Sequence, residues 1–287
     1  MTIYRLGRTF AAELHGVTLS EGNVALWGPV VHGAYLGHKV IVLRDQAIDL
    51  DAFRVFGRIF GEPDRHTLSA VRHPDVDDVI VLSNQDEPGR KPEAKYVGSG
   101  WHTDHSYKQV PANATMLLAT EVPDEDGDTL FADLVAAFAA LPKVTQDRLR
   151  GMRLRHQYRY VKDRTDPWGR WVFMSEAERQ ATPEVVHPAV RRHPETGAEA
   201  LFVASRRVGS IIGVEGMAKA ASDVFLDELV AHITSTPFVY RHKYRPNDLI
   251  VWDNRCTLHC ATTDVLDSRK VRRLLRITTK GSVPVAA

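Results

Sequence analysis

The chain has almost no excess charge: its 287 residues carry 37 Lys and Arg against 36 Asp and Glu, a formal net charge of +1. That balance offers no global field to nucleic acid or to an acidic membrane surface. Long apolar runs are also missing. Met1 to Leu19 is interrupted by Arg5, Arg8 and Glu13, so it reads neither as a secretory signal nor as an anchor. No later stretch has the length of a membrane-spanning helix. Cysteine is scarce: Cys256 and Cys260 are the only two, four apart and beside His259. A structural zinc site needs about four ligands, and no second Cys pair exists. The expectation is two reduced, partly buried thiols in a reducing compartment, the cytoplasm. Gly-x-Gly-x-x-Gly, regular βαβ alternation and internal repeats are absent, which argues against a doubly wound nucleotide-binding fold.

What is present suits a sizeable globular core, with 44% hydrophobic and 25% charged residues. No linker splits the chain, so residues 1–287 are expected to form one domain. Lys39 to Arg44 is a β-branched run fit for a buried strand. Asp49 or Asp51 should cap a helix through about Phe60, with Phe53, Phe56, Ile59 and Phe60 on one face and Gly61 ending it. A helix over 21–37 must place Pro29 near an end or a kink. A helix within 216–235 would turn Val224, Leu226, Leu229, Val230 and Ile233 inward. Short strand patterns recur at 78–82, 114–121, 129–132, 154–161, 186–193, 200–204, 238–242, 249–252 and 271–280. Two polar, aperiodic stretches, 84–100 and 161–185, read as active-site lids. The order is mostly β with interspersed helices.

Chemistry concentrates at Trp101-His102-Thr103-Asp104-His105-Ser106-Tyr107. In a strand, His102 and Asp104 would share a face, and an imidazole beside a carboxylate can hold adjacent positions on a divalent metal. One further imidazole would complete a two-His-one-carboxylate facial triad. His73-Pro74-Asp75 has the same spacing but reads as a turn. His259, shortly after the Asp253-Asn254 turn, is the candidate third ligand. Beyond it, Arg272, Leu274 and Arg276 alternate with Arg273, Leu275 and Ile277. A strand turning two arginines inward must give each an anion.

These pieces resemble the taurine/2,4-D dioxygenase family of iron(II)- and 2-oxoglutarate-dependent oxygenases. The resemblance is carried by Trp101-His102-Thr103-Asp104, Gly127-Asp128-Thr129-Leu130, and His193-Pro194-Glu195-Thr196-Gly197 with Ala200-Leu201-Phe202-Val203. It continues through Trp252-Asp253-Asn254-Arg255 with His259, and closes on Arg272-x-x-x-Arg276-x-Thr278-Thr279. It implies a double-stranded β-helix, or jelly roll. It further implies Fe(II) on His102, Asp104 and His259, and a 2-oxoglutarate carboxylate on Arg272 and Thr129. Arg276 would take an anionic group of the substrate. His66 lies near a substrate-contacting position of the family, with an exposed loop histidine as the plain alternative. Tyr158, Arg159 and Lys162 lie near another, and a second cation there would favour a doubly charged anion. Tyr107, Tyr160, Trp168 and Trp171 could form an aromatic wall or pack the lid. The segment after His259 is two residues longer than the family pattern. Counting from His259 picks Lys270 for 2-oxoglutarate; counting back from Thr278-Thr279 picks Arg272, with Arg273 as a further alternate.

The implied reaction consumes O2, decarboxylates 2-oxoglutarate to succinate and CO2, and hydroxylates a C–H of a small anionic substrate. No nucleic-acid or membrane partner is expected, and self-association into a homo-oligomer stays open. Two other classes compete. A zinc hydrolase could use the same His-Asp-His set but would not need the inward arginines or Thr129. A phosphate- or nucleic-acid-binding module could use Arg269 to Arg276 but would not need the three metal-type residues.

Overall fold

The structure, a computed structural model, describes residues 1–67, 69–85, 98, 100–158, 175–205, 211–263, 266–267 and 269–287. Strands β1 (Thr2–Arg5) and β2 (Ala12–His15) lead into helix α1 (Val24–His38) and strand β3 (Val40–Leu43). Pro29 sits inside α1 rather than at an end. Helix α2 (Leu50–Gly57) is capped by Asp49, whose carboxylate accepts from the Ala52 N–H at 2.8 Å. Such a cap is worth about 1 kcal/mol. A 3-10 turn over Arg58–Phe60 completes the expected helix, and Gly61, at φ 122°, ends it.

Strand β4 (Ile80–Ser83) and the long β5 (Ala112–Glu121) follow. Strand β6 (Thr129–Asp133) runs into α3 (Leu134–Ala139), capped by Asp133, and then α4 (Lys143–Arg150). Strand β7 (Arg153–His156), helix α5 (Glu176–Gln180) and strands β8 (Val185–Pro188), β9 (Val190–Arg192) and β10 (Glu199–Leu201) come next. β9 and β10 form the expected hairpin, but β8 joins β7, so the single strand expected over 186–193 is divided between two sheets. Strand β11 (Ile211–Val214) precedes α6 (Lys219–Ile233), which buries Ser222, Leu226, Leu229 and Ile233. Val224 lies off that face, 60% exposed, contrary to the inward reading. The chain ends with β12 (Val239–His242), β13 (Leu249–Asp253), β14 (Thr257–Ala261), β15 (Arg273–Lys280) and β16 (Val285–Ala286).

A seven-stranded sheet, β1-β2-β3-β13-β5-β15-β4, faces the short sheet β12-β6-β14. Period-two alternation explains how the first sheet serves two layers. Met116, Leu118, Val251 and Ile277 face outward and pack against Tyr35, Phe53, Phe56 and Phe60 of the helical layer. Fully burying each such side chain stabilises by about 1.5–3 kcal/mol. Leu117, Ile250, Trp252 and Leu274 face inward against Phe131 of the opposite sheet. Further along the same inward faces, Leu117 gives way to Thr115, and Leu274 to Arg276 and Thr278. The apolar interior of the sandwich thus becomes polar at one end, and the candidate site lies there.

Candidate active site

The His102 segment is not a regular strand. His102 forms an isolated antiparallel bridge with His259, with reciprocal N–H to C=O bonds of 2.9 and 2.8 Å. A turn follows, with His105 at φ 53°. The bridge is enough to bring His102 and Asp104 together with His259 of β14, and one ligating atom from each lies within 4.8 Å of the others. The imidazole rings are 4.1 Å apart between centroids. His102 Nδ1 donates to the Gly100 carbonyl at 2.8 Å, which leaves the Nε2 lone pair free for a metal.

Asp104 is held from several sides. Thr115 Oγ donates to its Oδ2 at 2.7 Å, and its own N–H donates to Asn254 Oδ1 at 3.1 Å. Asn254 also accepts from Trp252 Nε1 at 3.1 Å and donates to Thr115 Oγ at 2.9 Å. It is therefore the bracket that fixes the carboxylate, a role that sequence reasoning missed although the Trp-Asp-Asn-Arg motif was visible. Arg276 Nη2 approaches Asp104 Oδ1 at 2.7 Å without hydrogen-bond alignment, while its Nε donates to Thr278 at 3.0 Å. Burial works against ionising Asp104, but Arg276, His259 and His102 outweigh it and hold the carboxyl far below its usual range. Burial lowers the pKa of both His102 and His259. An ionised carboxylate and two neutral imidazoles are the protonation states a divalent metal requires, so the donor set fits Fe(II).

A second subsite lies along β6. Thr129 pairs with Ala261 two residues from the Phe131–His259 pair, about 7 Å along the strand. Thr129 Oγ and Tyr244 OH are hydrogen-bonded at 2.9 Å. The Arg272 guanidinium lies over the Tyr244 ring, 5.4 Å from its centroid, and Nε donates to the Gly127 carbonyl at 2.7 Å. Arg272 is 5% exposed, and burial pulls its pKa down; among the described residues no carboxylate pairs with it. Lys270 instead lies near Glu125 at 3.7 Å, and Arg273 bonds Thr120 on the other side of the sheet. Tyr244, the platform beneath Arg272, carried no signal in the sequence. Gly127 is sterically required: at φ 72°, a Cβ there would lie 2.9 Å from Arg272 Cδ and 3.2 Å from its Nε. Gly127→Ala is therefore expected to displace the guanidinium and raise KM for 2-oxoglutarate about tenfold or more, read by steady-state kinetics with the cosubstrate varied.

The third group surrounds Arg276. His66 is 6% exposed and is no surface loop histidine; burial drives its pKa well down. Its ring is 5.6 Å from that of His105. Tyr107 and Tyr158 meet edge to face at 4.5 Å, and Tyr107 OH bonds Thr67 Oγ at 3.2 Å. Lys162, Arg159, Tyr160, Trp168 and Trp171 lie outside the described residues, as do most of the 84–100 stretch and 161–174 of the second. Another candidate metal cluster, His193, Asp253 and Cys256, is already occupied internally. Arg255 donates to Asp253 at 2.8 and 2.7 Å, and His193 does so at 2.9 Å. Neither cysteine is in a disulfide. Among the described residues no helix is long and apolar enough to cross a membrane.

A jelly roll with a two-His-one-carboxylate cluster at one end of its sandwich, and a buried arginine beside a threonine hydroxyl further along, is the arrangement of a 2-oxoglutarate-dependent dioxygenase. The family profile described as "Taurine catabolism dioxygenase TauD, TfdA family" matches residues 2–278, and the chain belongs to that family. It is 34% identical over 278 residues to the alpha-ketoglutarate-dependent 2,4-dichlorophenoxyacetate dioxygenase of Cupriavidus pinatubonensis, covering 92% of this chain and 93% of that one. It is 28% identical to the alpha-ketoglutarate-dependent sulfate ester dioxygenase of Pseudomonas putida, over 99% of this chain and 91% of the relative. A putative alpha-ketoglutarate-dependent taurine dioxygenase from Burkholderia xenovorans superposes with a TM-score of 0.79 at 28% identity, covering 99% and 94% of the two chains. The structure of AAD-2 with Mn(II) and N-oxalylglycine gives 0.78 at 25% identity, covering 99% and 98%. The chain is a 2-oxoglutarate-dependent dioxygenase of jelly-roll fold, with Fe(II) as metal and 2-oxoglutarate as cosubstrate.

Proposed function

We propose that the enzyme hydroxylates a C–H of a small organic anion: a sulfonate, a carboxylate or a phosphate or sulfate ester. The observation that carries this reading is Arg276, a buried cation beside Asp104 and close to His66, whose Nη2 has no aligned acceptor among the described residues. Relatives named for 2,4-dichlorophenoxyacetate and for sulfate esters act on anions of this kind. In this reading His102, Asp104 and His259 hold Fe(II), and Arg272 with Thr129 takes the distal carboxylate of 2-oxoglutarate. With both bound, Fe(II) and 2-oxoglutarate would supply the electrons that reduce O2, the oxidant: one oxygen atom would enter succinate as CO2 leaves, and the other the substrate C–H.

The chain's own residues supply geometry and a dry setting. Asn254 and Thr115 keep the Asp104 oxygens fixed, and the Gly100 carbonyl sets the His102 tautomer. Tyr244 and Gly127 aim the planar Arg272 fork. Arg276 orients the substrate anion, and Tyr107 with Tyr158 walls off water. A hydrolase would have no use for the Arg272–Thr129–Tyr244 subsite. Purified protein with Fe(II), 2-oxoglutarate and a panel of sulfonates, aryloxy acids, amino acids and phosphate or sulfate esters is expected to couple O2 uptake to succinate formation. Absence of the weak visible charge-transfer band in the anaerobic Fe(II)–2-oxoglutarate complex would overturn the reading.

A further inference from the structure

We propose that His105 is a substrate-positioning residue whose Nε2 accepts a hydrogen bond from an N–H or O–H of the substrate. The preferred substrate would then be an anion that also carries a hydrogen-bond donor. The inference rests on the reading above and narrows its substrate class.

Three features meet at this one side chain. His105 is 3% exposed, yet among the described residues its Nε2 has no hydrogen-bond partner. Its backbone is left-handed at φ 53°, a conformation that a non-glycine residue adopts at a cost and that recurs at ligand clamps. Its other nitrogen is tightly held: Nδ1 donates to Asp64 Oδ2 at 2.8 Å, and Lys108 Nζ donates to the same oxygen at 2.7 Å. Burial opposes the Asp64 charge, but His105 and Lys108 outweigh it, so its pKa falls to about 2. With the proton on Nδ1, the buried Nε2 carries an unpartnered lone pair. Packing alone would be served better by an apolar ring, since a buried nitrogen without a partner is costly.

Location gives the open atom its meaning. His105 directly follows Asp104, its ring is 5.6 Å from His66 and 5.9 Å from Tyr107, and Arg276 is near enough to act on it electrostatically. The turn that carries it is anchored at both ends. Asn254 holds the Asp104 N–H, and His187 Nε2 donates to the Lys108 carbonyl at 3.0 Å. Among the described residues His156 also lacks partners for both ring nitrogens, but it stacks on Phe202 and no charged pair stands behind it. Among the described residues, only at His105 are a fixed tautomer, a held turn and the Arg276 cluster combined. Arg276 would take the anion and His105 the donor, fixing the substrate at two points and so choosing which C–H faces the metal.

The test is anaerobic calorimetry on the full-length Fe(II)–2-oxoglutarate enzyme with matched ligands. The pairs are 2-aminoethanesulfonate against propane-1-sulfonate, and 4-hydroxybutyrate and 4-aminobutyrate against pentanoate. The wild type is expected to bind the donor-bearing member of at least one pair about tenfold more tightly or better. His105→Phe should bring that ratio near one, and His105→Gln, which keeps an acceptor, should restore part of it. Asp64→Asn, which lets the imidazole take either tautomer, should give an intermediate ratio without emptying the pocket. The charge-transfer band and 2-oxoglutarate affinity should stay unchanged in all three. A wild-type enzyme that binds no donor-bearing member preferentially, or a His105→Phe variant that keeps the preference, overturns the proposal while the band remains. Loss of the band in the wild type would instead remove the oxygenase reading on which the proposal rests.

Discussion

Asp104→Ala should abolish Fe(II) binding and turnover, and unlike His102→Ala or His259→Ala it should also destabilise the metal-free protein strongly. In the proposed ligand set each of the three variants loses one ligand. Losing only an outer-shell partner commonly costs about 10–100-fold in metal affinity, so loss of a ligand should exceed about 100-fold. The stability effect separates them. Asp104 is 4% exposed, and its carboxylate is the counter-charge for Arg276 at 2.7 Å as well as the acceptor for Thr115 at 2.7 Å. Removing one partner of such a buried pair leaves an uncompensated charge, at a cost of about 3–5 kcal/mol. The histidines are neutral when buried, and their removal leaves no orphaned charge. Chemical denaturation in chelator should show this difference, and Arg276→Met added to Asp104→Ala should recover much of the loss. An Asp104→Ala protein as stable as wild type without metal would mean that Arg276 finds its counter-ion elsewhere.

Much of this site was legible because its ligands sit on or beside strands, where period two is a strong constraint. Arg276 and Thr278 share a face because alternation requires it, and β13 and β15 were readable from Leu249 to Trp252 and from Val271 to Lys280. The resemblance of the ordered motifs then supplied roles that alternation cannot. The failures have physical causes. The His102 segment read as a strand because two same-face residues look alike in a strand and in a single bridge; only the partner, His259, distinguishes them. Val224 is apolar and lies in a helix, but the apolar periodicity of α6 was counted too broadly. Pro29 lies within α1 rather than near its end. Tyr244 and Asn254 act through partners more than 100 residues away, at Thr129 and Thr115, and nothing local announces that. His105 was visible as a letter in the motif. Its meaning lies in Asp64, 41 residues earlier, and in a backbone angle.

Arg272→Met is expected to move stability and function in opposite directions. In the cosubstrate-free protein the Arg272 guanidinium is buried, bonded to the Gly127 carbonyl and stacked on Tyr244, with no carboxylate paired to it among the described residues. Desolvating a cation costs several kcal/mol, and one carbonyl bond with one ring face offsets only part of it. Methionine follows the same path through the core without the charge. It forfeits the bond to Gly127, worth about 1 kcal/mol, so the net gain should be about 1–2 kcal/mol. Function should fall, because truncating one side of a buried charge pair costs about 2–5 kcal/mol of affinity, which is about 30-fold or more for 2-oxoglutarate. Melting curves display both effects. At about 100 times its wild-type Kd the cosubstrate should stabilise the wild type by about 2.7 kcal/mol and a variant that binds about 30-fold more weakly by only about 0.9 kcal/mol. The variant therefore melts higher without 2-oxoglutarate and gains much less from adding it. Lys270→Met, which touches only the outer contact to Glu125, should retain the full 2-oxoglutarate response. If Lys270→Met loses that response and Arg272→Met keeps it, the assignment counted forward from His259 is the correct one. If the Arg272 variant melts lower under both conditions, the guanidinium has a structural partner, and the cost of its burial is already met before the cosubstrate arrives.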